Sequence, residues 1–504
     1  MPEPVIGLEI HLAIRTDSKM FCGCAADSFG HEPNVHTCPV CLGLPGTLPV
    51  TNGDAILKAV RFSLALHCQV PERTQFHRKH YFYPDAPKNY QISQFDRPVG
   101  EHGWIELEGG RRVGITRCHV EEDAGRLVHP PYADHSLVDF NRAGAPLLEM
   151  VTEPDLRTPE EARAFLTRVQ AIARALGVSD ASPEQGKMRA DVNVSLRRED
   201  GSFGTKVEVK NLNSFKSVAA SLAFEIKRQG VLLEEGREVA QETRGWNEGG
   251  QRTYLLRTKE ESADYRYMPE PDLPPLTLAR DWLERIRATM PELPSRKRER
   301  YLALGLRAGD AELIAFDVDA SAFFDAAVAA TGAATAATTA ATTAATTGAT
   351  ATDGAPATAA TTTAAARAAQ AIANWLVGDV TGLLNAEGRS LTEAALTPEH
   401  LAALVRLIDE GAISGKIAKE ILPDVVAGEA PEAVVERKGL RLMRDEGALA
   451  DVVDRVIAAN PAIVASVAEN PKAVNALLGR VMKETRGTAQ PDAVRKLLQE
   501  RLGT

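Results

Sequence analysis

Val5-Ile6-Gly7-Leu8-Glu9-Ile10-His11-Leu12 and Met188-Arg189-Ala190-Asp191-Val192-Asn193-Val194-Ser195-Leu196 alternate apolar and polar residues with a period of two. Successive side chains of a strand point to opposite faces, so this alternation predicts half-buried β-strands. Gly7, Glu9 and His11 then share one face and Leu8 and Ile10 the other; Arg189, Asp191 and Asn193 form the polar face of the second strand. Lys206–Lys210 continues the pattern, with Lys206, Glu208 and Lys210 together. Asp200-Gly201 between the last two runs supplies turn residues, which predicts an antiparallel hairpin with a long loop.

Helical signals surround these strands. Thr158–Leu176 has Thr158 as cap, Pro159 at the first helical position and Glu161 placed for a capping box. Phe165, Val169, Ile172 and Leu176 form its buried stripe, and Gly177 ends it. Strand and helix mix as far as Pro294; beyond it the pattern is helical, opening with the charged Ser295–Tyr301. Thr331–Ala366 is Ala, Thr and Gly apart from Asp353 and Pro356. With almost nothing large to bury, it reads as a tether or an aberrant piece of sequence. Periodic helices resume at Ala371. Asn470-Pro471 opens one late helix, and Gln490-Pro491 opens another with Val494, Leu497, Leu498 and Leu502 inward. The expected class is α+β: a mixed-sheet cradle with a zinc-binding loop, followed by all-α helical and tail domains. The expected domains are 1–294, 295–400 and 401–504.

A length of 504 residues favours several domains, and 44% apolar with 25% charged residues is ordinary for a soluble globular chain. The N-terminus shows no basic region followed by an apolar run, and no apolar stretch approaches the ~20 residues that cross a bilayer. Cytoplasm and no membrane are the expectation. The net charge of −10 and pI of about 5.7 do not advertise nucleic-acid binding, so any such contact must be local.

Four of the six cysteines form Cys22-x-Cys24 and Cys38-x-x-Cys41, thirteen residues apart. Two thiol pairs on separate turns supply the four ligands of a tetrahedral zinc, and four thiolates leave no open position, so the metal would be structural. Buried thiols without metal are the alternative. His31 and His36 lie between the pairs as possible substitutes for a thiolate, and Cys68 and Cys118 are expected to be ordinary buried thiols. Glu9 and His11 stand about 6.6 Å apart along one face, and Glu121-Glu122-Asp123 adds three carboxylates. Such groups repel unless a cation compensates, and oxygen ligands with an imidazole suit magnesium or manganese. Spacing alone leaves open that these are solvated faces of separate strands. Gly411–Lys416 is not a phosphate loop: its glycines are too close, Ile417 stands where Ser or Thr is needed, and no strand precedes it. No GxSxG elbow occurs.

Longer strings carry a resemblance. GLEIH at Gly7, TCPVCLGLPGTLPVTN at Thr37, RKHYFYPDAPKNYQISQ at Arg78, DFNRAGAPLLEMVTEPD at Asp139, KMRADVNVS at Lys187, KVEVKNLNS at Lys206 and DYRYMPEPDLPPL at Asp264 resemble the B-subunit family of the tRNA-dependent amidotransferases. SGKIAKE at Ser414, KGLRLM at Lys438, DEGAL at Asp445 and VIAANP at Val456 continue the match in family order. The resemblance implies a carbon–nitrogen ligase. It would use ATP to activate the side-chain carboxylate of Glu-tRNA(Gln), and of Asp-tRNA(Asn), for amidation. It also implies a heterotrimer, in which the A chain is an amidase that releases ammonia from glutamine and the C chain is small. Residues 1–294 would be the catalytic cradle, and the helical tail would grip tRNA.

By resemblance the magnesium ligands fall on Glu9, His11, Glu122 and Glu208 with Glu121 beside them; Glu149 and Asp191 are weaker candidates. Glu122, Lys79 and Lys88 are the candidate catalytic residues, the two lysines contacting phosphate or lining the ammonia exit. Tyr81, Phe82 and Tyr83 in the same segment are expected to be wall packing. The family has an ordinary helical segment where this chain shows Thr331–Ala366. Over Pro471–Thr504 seven basic residues stand against three acidic ones, and Arg480, Lys483 and Arg486 recur every three residues. With the family match, Lys483 and Arg486 become candidate tRNA contacts. Two other functions compete: a non-catalytic zinc-containing tRNA-binding protein, which would not turn over ATP, and a stand-alone amide ligase, which would need its own ammonia source.

Overall fold

The computed structural model of the protein describes residues 2–198, 200–258, 265–332, 357–442, 446–469, 473–485 and 488–503. Its internal packing divides the chain into two units, Met1–Pro294 and Ser295–Thr504.

The first unit is built on an eight-stranded sheet. Its strands are β1 (Pro4–Ala13), β2 (Gly100–Glu106), β3 (Arg112–Glu122), β4 (Pro146–Thr152), β5 (Met188–Leu196), β6 (Val207–Lys210), β7 (Glu242–Asn247) and β8 (Arg252–Thr258). They lie in the order β8-β7-β6-β5-β1-β4-β3-β2, all neighbours antiparallel except β6 and β7. The expected hairpin is present, with Val192 opposite Val209 and Asn193 opposite Glu208.

One face of this sheet is sealed by helices α1 (Gly53–Ala65), α2 (Pro159–Ala175) and α3 (Phe215–Glu234). Ile6, Leu8, Ile10 and Leu12 of β1 join Val120, Leu148, Met150, Val192 and Val194 in a core with Val60, Phe165, Val169 and Leu222. Full burial of each large aliphatic contributes about 1.5–3 kcal/mol, which pins the register: a one-residue slip would turn Glu9 and His11 into this core. Cys68 and Cys118 are buried there.

Helix α2 starts as its sequence predicts, with the Thr158 hydroxyl accepting from the Glu161 amide at 3.1 Å and Gly177 left-handed at its end. The reciprocal bond differs. Glu161 accepts from the Arg157 amide at 2.7 Å, not from Thr158, and its other oxygen is held by Arg111 at 2.8 Å, so the carboxylate is drawn one residue upstream.

Among its described residues the second unit has helices joined by turns and loops, and no strand. Tyr301, Ile314 and Phe324 share one apolar core with Ile372, Leu401, Leu404, Ile417 and Val434, while Leu449, Val453, Leu477, Val494 and Leu498 form another. The break expected at 400/401 is therefore displaced: Leu401 and Leu404 bury against helices that precede it, and the cores part between Leu440 and Leu449. Of Thr331–Ala366, residues 357–366 belong to the helix Ala357–Asn374, and 333–356 lie outside the described residues, as do Asn470 and Pro471. The helix Pro491–Leu502 buries Val494 and Leu498, with Leu497 and Leu502 packed beside them. Among the described residues no helix is long and apolar enough to cross a membrane.

Candidate active site and metal centre

The other face of the sheet carries the polar halves of the alternating strands. Direct pairing brings side chains to within about 4.5–5.5 Å of their cross-strand neighbours. His11 of β1 stands opposite Glu149 of β4, and Glu149 stands opposite His119 of β3. Arg189 of β5 completes this row. A second row sets Glu9 opposite Asp191.

Glu149 is the hub. Its Oε2 lies 3.5 Å from His11 Nε2 and 3.3 Å from His119 Nε2. Glu121 reaches the same imidazoles at 3.9 and 3.7 Å and accepts from the Ser93 hydroxyl at 3.3 Å. Two sets of ligand atoms each lie within 4.8 Å of one another: Glu9, His11 and Glu149, and His119, Glu121 and Glu149. Burial opposes charge on His119, His11 and Glu149, yet for these three their mutual proximity decides the outcome. His119 is pushed up to about 9 against its desolvation, first by Glu149 and then by Glu121. His11 is likewise raised against its desolvation, through its contacts with Glu149 and Glu121. Glu149, despite burial, is held well below the ordinary carboxylate range by His119 and His11. Burial and then the Glu149 charge push Glu9 up. Hard carboxylate oxygens and imidazoles in two sets sharing one residue fit a divalent cation of the magnesium or manganese kind.

The structure brings together Glu9, His11 and Glu121 of the expected ligands and adds Glu149 as their centre. It does not bring in Glu122. As the strand neighbour of Glu121, Glu122 follows Val120 to the opposite face, where it takes Lys88 and the Ile92 amide at 2.8 Å. Lys88 therefore faces Glu122, away from the hub. Glu208 shares the polar face but lies beyond Asp191, held by Lys210 at 3.2 Å and the Thr243 hydroxyl at 2.9 Å. Lys210 also binds Asp191 at 2.6 Å. Lys79 does arrive at the hub. Its ammonium lies 5.1 Å from the centre of the Tyr265 ring, and Glu121 and Glu149 help hold it above its ordinary value although burial works against that. Tyr81, Phe82 and Tyr83 are exposed rather than packed as wall, Tyr81 and Tyr83 stacking on each other at 5.6 Å.

His119 joins this cluster although it is not among the residues singled out from the sequence, and a signal for it exists. His119-Val120-Glu121 repeats on β3 the i, i+2 placement of Glu9-Ile10-His11 on β1.

The four clustered cysteines converge as their spacing predicts. The Sγ atoms of Cys22, Cys24, Cys38 and Cys41 all lie within 4.8 Å of one another. A tetrahedral zinc with sulfur at about 2.3 Å needs sulfurs about 3.8 Å apart, so the set fits with a small contraction. Cys41 is pulled down to about 4, chiefly by the hydrogen bond from Cys22, with the Cys38 amide donating at 3.2 Å. His31 and His36 pack against each other, ring centres 4.5 Å apart, outside the group. In the second unit, Lys483 lies on Val474–Glu484 beside Arg480, and lines a cleft with Ser414, Lys416 and Gln490. Arg486 lies outside the described residues.

Residues 4–284 match the family model described as the GatB/GatE catalytic domain, and residues 359–502 match that of the GatB domain. The chain is 53% identical over 504 residues to the B subunit of the aspartyl/glutamyl-tRNA(Asn/Gln) amidotransferase of Thermus thermophilus, covering 100% of each. The protein of the same name from Deinococcus radiodurans is 50% identical over 99% of each chain. That of Carboxydothermus hydrogenoformans is 45% identical over 99% of this chain and 98% of its own.

Proposed function

Because the chain belongs to the B-subunit family of the aspartyl/glutamyl-tRNA(Asn/Gln) amidotransferases, we propose that it activates the side-chain carboxylate of Glu-tRNA(Gln), and of Asp-tRNA(Asn), and joins it to ammonia. The work is done in the cytoplasm, together with the amidase (A) chain and the small (C) chain of a heterotrimer.

A carboxylate does not accept ammonia directly, because oxide is a poor leaving group. Activation solves this in two displacements. A carboxylate oxygen attacks the γ-phosphorus of ATP and ADP leaves, giving an acyl phosphate. Ammonia then attacks the carbonyl carbon, phosphate departs with the carboxylate's oxygen, and the nitrogen sheds a proton to leave the amide. The first displacement depends on positioning and on neutralising phosphate charge.

Magnesium bound by Glu9, His11 and Glu149, or by His119, Glu121 and Glu149, would supply that neutralisation. Lys79 adds a fixed cation at the edge of the same face, placed for a phosphate oxygen. Glu121 and Glu149 meet both imidazoles at their Nε2 atoms, the nitrogens that would face a bound cation. Zinc in the four-cysteine group is structural, since four sulfurs leave no position for substrate. Lys483 and Arg486 contact the tRNA backbone, which proteins read largely through shape.

The observation that carries this reading is the pair of carboxylate–imidazole sets meeting at Glu149 on the polar sheet face. Reconstitution with the two partner chains tests it. Amide formation on Glu-tRNA(Gln) should require ATP, glutamine and this chain together; amidation in the absence of this chain, or none when all three chains are present, would overturn it.

A further inference from the structure

Lys19 is 1% exposed, a rare place for an ammonium. Its Nζ donates to the carbonyls of His36 at 2.7 Å and Phe140 at 3.3 Å, and to Cys41 Sγ at 3.6 Å. Carbonyls satisfy its hydrogens but carry no net charge. Among the described residues no carboxylate lies within 4.0 Å of it. Glu122 lies beside Gly144, as Lys19 and Cys41 do, but its carboxylate is engaged by Lys88 and the Ile92 amide. A buried cation needs compensating negative charge. The thiolate cluster is the group in contact that can supply it, because a divalent ion held by four thiolates leaves negative charge in excess.

The backbone of the same residue serves the other knuckle. The Lys19 amide donates to the Cys24 carbonyl at 2.9 Å, and the next amide, Met20, donates to the Gly144 carbonyl at 2.8 Å. One residue thus ties the Cys22–Cys24 turn through its main chain and the Cys38–Cys41 turn through its side chain.

We propose that Lys19 is the charge-compensating positioning residue of the four-cysteine centre: its sealed ammonium donates to the Cys41 sulfur, offsets part of the excess thiolate charge and slows loss of the ion. This rests on the reading that Cys22, Cys24, Cys38 and Cys41 hold a divalent metal. The size of the effect depends on the metal. With the ion bound, Lys19 has its counter-charge and the centre is stabilised. With the ion removed, the assembled four-thiolate charge that the ammonium offsets is no longer held together, so its contribution is smaller.

The full chain is compared with Lys19→Met, which keeps length and burial without charge, and with Lys19→Arg, which keeps the charge. Zinc content, the rate of zinc release to EDTA, the sulfur-to-cobalt charge-transfer band of the cobalt form, and urea unfolding with and without metal are measured. Lys19→Met should lose zinc at least about tenfold faster, the effect typical of removing an outer-shell partner. Its cobalt band should move to lower energy, because an unbonded thiolate gives up charge more readily. The loss of stability in Lys19→Met should be larger with metal than without it, and Lys19→Arg should recover at least part of the retention and the band position.

Zinc-loaded wild type beside a Lys19→Met chain with an unchanged release rate and band would overturn the role of Lys19. So would equal destabilisation with and without metal, or failure of Lys19→Met to fold in either state, since both mark a residue that only bridges carbonyls. Wild type purified without zinc would instead overturn the metal reading on which the role depends.

Discussion

Glu149→Gln removes one charge from the middle of the site while keeping the shape of the side chain, and its cost follows from the two imidazoles that Glu149 faces. Its Oε2 is 3.5 Å from His11 Nε2 and 3.3 Å from His119 Nε2. At an effective dielectric near 20 each such pair is worth about 5 kcal/mol before desolvation. Breaking a buried pair costs about 3–5 kcal/mol net, and the amide oxygen that remains places this substitution near the lower end, about 3 kcal/mol.

The pH dependence has a definite window. Glu149 is depressed in the folded state, so its contribution is present above the unfolded carboxylate value of about 4.3 and is lost as the pH falls through the lower folded value. His119 is raised to about 9, so its contribution is complete below the unfolded imidazole value and fades as the pH rises through about 9. In magnesium-free buffer the penalty should be largest between about pH 4.5 and 6.5 and small above about pH 10. Urea unfolding followed by tryptophan fluorescence reads it, since Trp104, Trp246 and Trp282 all lie in the first unit. A penalty equal at both ends of that range, or none at the acid end, would refute the pairing.

Three further substitutions probe separate features. Cys38→Ser should abolish stoichiometric zinc by metal analysis and lower the urea midpoint of the first unit, because structural zinc contributes directly to folding; a zinc-replete variant would remove Cys38 from the centre. Gly103→Ala should cost about 1–3 kcal/mol by the same unfolding assay, since an added Cβ would meet Cys68 Sγ and stand 2.6 Å from the immovable Leu66 carbonyl; an unchanged midpoint would contradict that close approach. Lys483→Ala should weaken Glu-tRNA(Gln) binding and make the salt dependence shallower by about 0.7–0.9 for each phosphate no longer neutralised; an unchanged slope would remove Lys483 from the tRNA interface.

The sheet was legible because burial enforces a period of two, and β1, β5 and β6 show it without interruption. The cysteine centre was legible because its ligands sit on two tight local turns. The active face was less so. Which carboxylates converge depends on cross-strand register, and neither the residues nor their spacing states that β4 lies between β1 and β3. Glu149 accordingly read as peripheral, although that order sets it directly opposite both imidazoles. Glu122 misled for a related reason: adjacent acids look like one cluster in sequence, but neighbouring strand residues face opposite ways. His119 carried a usable signal in its i, i+2 partnership with Glu121. The 400/401 boundary failed because helical periodicity reports which face is buried, not which other helices bury it.

If this chain activates the carboxylate through an acyl phosphate formed at the Glu149 hub, an oxygen of that carboxylate must leave with the phosphate. The most direct measurement uses Glu-tRNA(Gln) carrying oxygen-18 in both oxygens of the side-chain carboxylate, given to the reconstituted assembly with ATP and glutamine. Mass analysis of the released phosphate then follows the oxygen. One labelled oxygen should appear in phosphate for each amide formed by wild type, and Glu149→Gln should lose amide and labelled phosphate together. Unlabelled phosphate alongside normal amide formation would contradict the acyl phosphate, and full labelled turnover by Glu149→Gln would contradict the hub.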